Sequence, residues 1–244
     1  ASFAHANAHA GSLAFVSQSG ALVTAMLDWA RGQSRAIGFS HCVSLGEHAD
    51  IDFADVIDWL ASDARTRAIL LYIESIEGAR KFMSAARAAA RNKPVIVVKA
   101  GRSAAGQAAA ASHTGALAGS DLVYDAAIQR AGMLRVQTLD ELFIAAETLS
   151  RMHLPIMGAD LAALERLTIV TNGGGAGVLA ADAAARANIV LAPLSPGVQA
   201  ALDATLPAHW SRANPIDLIG DAPVARYVSA LQSLLADPGS GSLL

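Results

Sequence analysis

Sulfur is scarce: the 244-residue chain has one cysteine, Cys42. No internal disulfide can form, and the usage fits a reducing cytoplasm. Cys42 lies in the apolar run "IGFSHCVSL", where a buried structural thiol is expected rather than a reactive one. Long apolar runs are missing as well. No stretch of about 18 strongly apolar residues occurs, so neither a transmembrane helix nor a membrane partner is indicated. The opening "ASFAHANAHAGS" has no basic segment followed by an apolar one, and is not read as a secretory signal. Charge of one sign does not dominate. Lys plus Arg number 18 against 21 Asp plus Glu, a net of −3, with no basic stripe to suit nucleic acid. Metal-ligand spacing is absent too: His5 and His9 lie in a tail without helical pattern, and His41 and His48 are isolated. No metal site is assigned.

What the chain does have is apolar mass, 53% of residues, much of it alanine, which suits helices packed closely on a sheet. Short β-branched runs alternate with amphipathic stretches. "LAFVS" (13–17), "AIGFSHCVSL", "AILLYI" (68–73), "PVIVVKA" and "MLRV" read as strands. Helices are expected between them, including one that Ser120 could cap and one over 138–151. Strands that are nearly continuous in apolar residues and alternate with helices specify a parallel sheet covered on both faces. The expected fold class is therefore α/β, with a flavodoxin-like doubly wound domain over 1–155. After the loose segment "HLPIMGADLAALE", the stretch "LTIVTNGGGAGVLAADAAARA" repeats strand, glycine turn and helix. A second domain of the same kind is expected over 156–244, and it looks incomplete.

In open α/β sheets, ligands bind beyond the carboxyl ends of the strands. Four segments there carry candidate chemistry. "VSQSGA" joins strand to helix through Ser17, Ser19 and Gly20, and the free N–H groups of that helix start form an anion cradle. A hydrolase nucleophile elbow is not matched, because Ser17 stands where its first glycine would be. "TNGGGAG" (171–177) repeats the arrangement with Asn172, Gly173, Gly174 and Gly175, and its glycines let backbone N–H groups approach an anion. Gly175, Gly177 and Ala180 satisfy a dinucleotide pattern, but "IVLAPL" ends without the carboxylate that would hold a ribose, so the match is read as accidental. Glu74 follows "AILLYI". Last comes the stretch from Lys99 to Gly119, read as a loop too long for a mere connection, with His113 among alanines and glycines. A glycine-flanked imidazole facing two anion-binding helix starts has the makings of a phosphoryl-carrying nucleophile. Glu74 could take the proton on the other ring nitrogen and fix the tautomer.

"VSQSGALVTAMLDWA", "VSLGEHADIDFADVIDWLA", "AILLYIESI", "KPVIVVKAGRSAAGQAAAASHTGALAGSD" and "NPIDLIGDA" together closely resemble the NDP-forming acyl-CoA synthetases, relatives of succinyl-CoA synthetase. The resemblance runs from about Phe3 to the end of the chain. It implies that His113 is transiently phosphorylated and passes phosphate between an acyl phosphate and ADP. It also implies that Glu74 orients the histidine, with Glu77 a less favoured substitute. The helices opening at Ser19–Gly20 and Gly174–Gly177 would be those whose N-termini stabilise the phosphohistidine. Coenzyme A and ATP or ADP with Mg²⁺ are implied as substrates of the full enzyme, alongside a small carboxylic acid. The partners implied are a CoA-binding domain and an ATP-grasp domain or subunit, with assembly into a homo- or hetero-oligomer. Neither domain is found in this chain, which is therefore expected to be part of a longer polypeptide. An alternative reading is a synthetase-like regulatory region attached to a protein lysine acetyltransferase. A flavin-binding module is a third reading, opposed by the lack of aromatics flanking the glycine loops.

Overall fold

The computed structural model describes residues 7–34, 37–47, 50–114, 119–151 and 165–244, without the side chains of 110–114 and 151. The chain divides into two compact units, Ala1–His153 and Leu154–Leu244.

The first unit is a five-stranded sheet of β1 (His9–Ser17), β2 (Gly38–Ser44), β3 (Ala68–Ile73), β4 (Val95–Lys99) and β5 (Leu134–Val136). The strands lie in the order β2-β1-β3-β4-β5, and every pairing is parallel. That is the flavodoxin-like order, with its topological switch between β1 and β3. Side chains alternate across the sheet, as the period of two requires. Leu13, Phe15, Leu70, Ile96 and Val98 pack with Met26 and Leu27 of α1 (Gly20–Gly32) and with Leu142 and Ala146 of α6 (Leu139–Arg151). Ala14, Val16, Ile69, Leu71 and Val97 meet α2 (Phe53–Ser62), α3 (Ala79–Ala90) and α5 (Asp121–Arg130) through Ile57, Leu60, Phe82, Ala86 and Ile128. Each large side chain so buried is worth about 1.5–3 kcal/mol. The two cores fix the sheet between its helices, so the loops at its carboxyl edge stand on a fixed base.

Three sequence expectations change here. Residues 99–119 are not one long loop, because α4 (Ala104–Thr114) occupies most of the stretch. Alanine is the strongest helix former, and Ser103 caps the helix by accepting from the Gly106 N–H at 3.0 Å. Ser120 stands at the N-cap of α5 but makes no side-chain cap bond. "LTIV" is not one continuous strand, but breaks into β6 (Arg166–Thr168) and β7 (Val170–Thr171). The segment 152–164, which holds most of the expected linker, lies outside the described residues.

In the second unit, β6 lies between β10 (Ser242–Leu243) and β8 (Val190–Leu191), while β7 pairs with β9 (Ile216–Asp217). All these pairings are parallel. Helices α7 (Gly174–Arg186), α8 (Pro196–Thr205) and α9 (Val224–Leu235) flank the strands. The cause of the break is a side chain. Asn214 accepts from the Ile169 N–H at 3.0 Å and donates to the carbonyls of Leu167 at 2.8 Å and Ala192 at 2.9 Å. It fills the gap where the chain's partner changes from β8 to β9. Its amide stands in for a peptide group and satisfies backbone between the two strand pairings.

Candidate functional site

At the end of β1, Ser17 is fully buried. Its hydroxyl accepts from the Ser19 N–H at 3.0 Å and donates to the Ser19 carbonyl at 2.8 Å. This ties the turn into shape, and the Ser19 hydroxyl then caps α1 by accepting from Leu22 N–H at 3.4 Å. Gly20 is the first residue of that helix. The remaining first-turn N–H groups have no helical partner, and the helix dipole places roughly half a positive charge there.

Glu74 follows β3, the neighbour of β1 across the switch point. Gln18, itself buried, joins the two loops: its Oε1 accepts from the N–H groups of Glu74 at 2.6 Å and Ser75 at 2.9 Å. Its Nε2 donates to the Ser75 hydroxyl at 3.3 Å. Tyr72 leans on the same carboxylate. Burial raises the tyrosine hydroxyl above its ordinary range, and the Glu74 charge and hydrogen bond raise it further. One strand over, at the end of β4, Lys99 is 3% exposed. Its ammonium donates to the Ala100 carbonyl and lies 4.4 Å from the centre of the Tyr124 ring. Burial pushes the lysine below its usual range, with Asp121 opposing that shift, Arg135 adding to it and Glu74 opposing it. His113 belongs to α4, which follows β4; its side chain lies outside the described residues.

The second unit repeats the turn. Thr171 at the end of β7 accepts from the Gly173 N–H at 3.0 Å and donates to the Gly173 carbonyl at 3.2 Å. Asn172 and Gly173 lead into α7, of which Gly174 and Gly175 are the first residues. Strand-end hydroxyl, one intervening amide residue, then a residue bonded to the hydroxyl at both its N–H and carbonyl: the pattern is the same at Ser17-Gln18-Ser19 and Thr171-Asn172-Gly173. Gly177 is there for contact. A Cβ at that position would lie 3.1 Å from Thr171 Cγ2 and 3.2 Å from Pro215 Cβ. Beside α7 is a cleft of about 290 Å³, lined in part by Thr171, Gly174, Asp182, Ser211 and Asp217. Asp217 is held by accepting from the Ile219 N–H at 2.9 Å.

Residues 10–149 match the model of the succinyl-CoA ligase like flavodoxin domain, which covers more than half of the chain. The chain belongs to the succinyl-CoA ligase-like family. Residues 167–244 match the ligase-CoA domain. An ADP-forming acetate–CoA ligase I of Archaeoglobus fulgidus is 40% identical over 237 residues, spanning 97% of this chain and 33% of that protein. The alpha subunit of the ADP-forming acetate–CoA ligase I of Pyrococcus furiosus is 42% identical over 233 residues, 96% of this chain and 48% of the subunit. Among solved structures, the dinucleotide forming acetyl-coenzyme A synthetase 1 of Ca. Korarchaeum cryptofilum, in complex with phosphate and ADP, superposes with a TM-score of 0.87 at 36% identity. That match covers 97% of this chain and 50% of the other. The chain thus spans about a third to a half of the length of these relatives.

In this succinyl-CoA ligase-like chain, the structure brings Ser17, Ser19, Gly20 and Glu74 to one sheet edge, with α4 leaving the adjacent strand. Asn172, Gly173, Gly174 and Gly175 form the matching turn of the other unit. Sequence reading missed Gln18, Tyr124 and Lys99 as parts of the first site and Asn214 as the organiser of the second unit. Gln18 had a signal: a long amide side chain at the carboxyl end of a buried strand can reach the loop that follows the neighbouring strand. Cys42 is half-buried, and burial pushes its thiol up to about 12, so it is a poor nucleophile near neutral pH. No described helix is long and apolar enough to cross a membrane.

Proposed function

We propose that this chain is the phosphohistidine-bearing part of an NDP-forming acyl-CoA synthetase. The full protein would interconvert acyl-CoA, ADP and phosphate with carboxylic acid, ATP and coenzyme A. In the forward sense, phosphate oxygen attacks the thioester carbon and expels the coenzyme A thiolate, leaving an acyl phosphate. A neutral ring nitrogen of His113 then attacks phosphorus, the bond to the acyl oxygen breaks, and the carboxylate leaves. An oxygen of ADP takes the phosphoryl group from nitrogen to give ATP. Glu74 accepts the hydrogen bond from the other ring nitrogen. It holds the tautomer and stabilises the positive charge that develops on the ring. The N–H groups of Gly20 and of Gly174 and Gly175 hold phosphate oxygens, with Ser17, Ser19, Asn172 and Gly173 shaping the turns. Phosphoryl transfer needs positioning and fixed dipoles more than covalent help, which is what such turns supply. Coenzyme A, Mg²⁺ and nucleotide would bind chiefly to a CoA-binding domain and an ATP-grasp domain or subunit beyond this chain.

One observation carries the reading. The anion turn after β1 and the carboxylate after β3 flank the topological switch point, where this class of sheet binds ligands, and the 2.6 Å bond from Glu74 N–H to Gln18 links them. The test uses the full-length protein incubated with γ-labelled ATP. Wild type is expected to form an acid-labile, alkali-stable phosphoprotein and His113→Ala none. Label persisting at the wild-type level in His113→Ala refutes the carrier role.

A further inference from the structure

Three successive N–H groups, those of Glu74, Ser75 and Ile76, are held by two side chains that come from two other parts of the fold. Gln18 Oε1 takes the first two at 2.6 and 2.9 Å. The Tyr124 hydroxyl takes the third at 3.3 Å. Tyr124 is held in turn. Its ring covers the buried Lys99 ammonium. Its helix is tied to β5 by Arg135, whose side chain is 4% exposed and pairs with Asp121 and, at 3.3 Å, with Asp125. Ser75 is buried and Glu74 and Ile76 are half-buried, so their amides take protein partners, and here those partners come from two other elements that meet at the same three residues. Gln18 is also the middle residue of the Ser17–Ser19 turn, so the group that fixes the backbone of Glu74 belongs to the anion turn itself.

We infer that Gln18 and Tyr124 are positioning residues that clamp the Glu74–Ser75–Ile76 segment from its two sides and set the place of the Glu74 carboxylate relative to the α1 N-terminus. The inference rests on the proposed role of Glu74. Neither residue touches the reacting atoms. Both act through Glu74, because a shift of about 1 Å in an orienting group suffices to cost about a hundredfold in rate.

The experiment measures the rate of phosphoenzyme formation from labelled ATP, by rapid quench, in the full-length protein. Gln18→Met keeps the length of the side chain and removes the acceptor. It is expected to slow labelling by about a hundredfold with little change in the KM for ATP. In a Glu74→Gln background the same substitution is expected to cost under about threefold, because two residues acting through one group are not additive. Tyr124→Phe gives a smaller loss with the same dependence on Glu74, and carries the comparison should Gln18→Met fail to fold. Amide exchange adds a readout independent of chemistry. It should quicken at Glu74 and Ser75 in Gln18→Met, and at Ile76 in Tyr124→Phe. Equal slowing in both backgrounds overturns the clamp, as does unchanged exchange at these three amides. Failure of the carrier reading shows separately, as label that survives His113→Ala.

Discussion

Removing the Asn214 side chain tests how the second unit is held together. Asn214→Ala deletes three hydrogen bonds, to Ile169 N–H, Leu167 carbonyl and Ala192 carbonyl, at 2.8–3.0 Å. The Leu167 carbonyl keeps a second donor, the Ala192 N–H at 2.9 Å. The loss therefore falls on the N–H of Ile169, a residue 2% exposed, and on the Ala192 carbonyl. Orphaning such groups costs about 1–3 kcal/mol each, so the total is on the order of 2–6 kcal/mol. Amide exchange read by mass spectrometry on peptides spanning 166–171 and 214–218 measures this directly. At about 1.4 kcal/mol per factor of ten, protection there should fall at least roughly thirtyfold, and at the upper end on the order of ten-thousandfold. Asn214→Asp sharpens the test. Its carboxylate would face the two carbonyls to which the amide donated, so its charged form is disfavoured in the folded state. The folded pKa then lies above the unfolded value of about 3.9, and the native state holds the proton to higher pH. Stability is lost as pH rises through that folded pKa. Asn214→Asp should be nearest to wild type below about pH 4 and should fall below Asn214→Ala at pH 7. Protection within threefold of wild type in the alanine variant, or an aspartate variant that gains on it between pH 4 and 7, refutes the bridging role.

Two further perturbations probe packing and charge. Gly177→Ala brings a Cβ within 3.1–3.2 Å of Thr171 and Pro215; overpacking outweighs the gain in helix propensity, for a net loss of about 1 kcal/mol in urea unfolding. Gly175→Ala meets nothing within 4 Å and should be neutral or stabilising by the same measurement, so equal losses at the two glycines would contradict the contact argument. Lys99 is pushed down chiefly by burial, so the folded state releases its proton more readily than the unfolded chain. The penalty is full below the folded pKa and disappears as pH approaches the unfolded value of about 10.4. The urea midpoint of wild type relative to Lys99→Met should therefore rise with pH toward 10; a falling difference would show that the ammonium is favourably placed.

The first unit was legible because its strands are buried on both faces and its helices carry one apolar side, so period and sequence order point to the same sheet. "AILLYI" matches β3 residue for residue. The second unit was harder, since strands of two or three residues leave too short a pattern to read, and the break at Ile169 is caused by a side chain 45 residues away. The stretch around His113 misled for a different reason. Small residues suggest a loop by their lack of bulk, while alanine's backbone preference makes a helix. Candidate residues at the two strand-to-helix turns, such as Ser17, Ser19 and Gly174, could be picked out by local chemistry. Gln18 and Tyr124 reach Glu74 and Ile76 across 56 and 48 residues, a separation no local pattern encodes.

Helix α4 differs from its neighbours in what it owes to them. Ala104, Ala105, Ala108 and Ala109 are exposed, and no large apolar side chain among 104–109 is sunk into either core. Over 104–109 its shape comes from backbone preference and the Ser103 cap, so substitutions at those positions draw on almost none of the free energy that keeps the domain folded. Melting curves would be blind to most changes there. Only an assay of turnover could tell a harmless alteration from a crippling one.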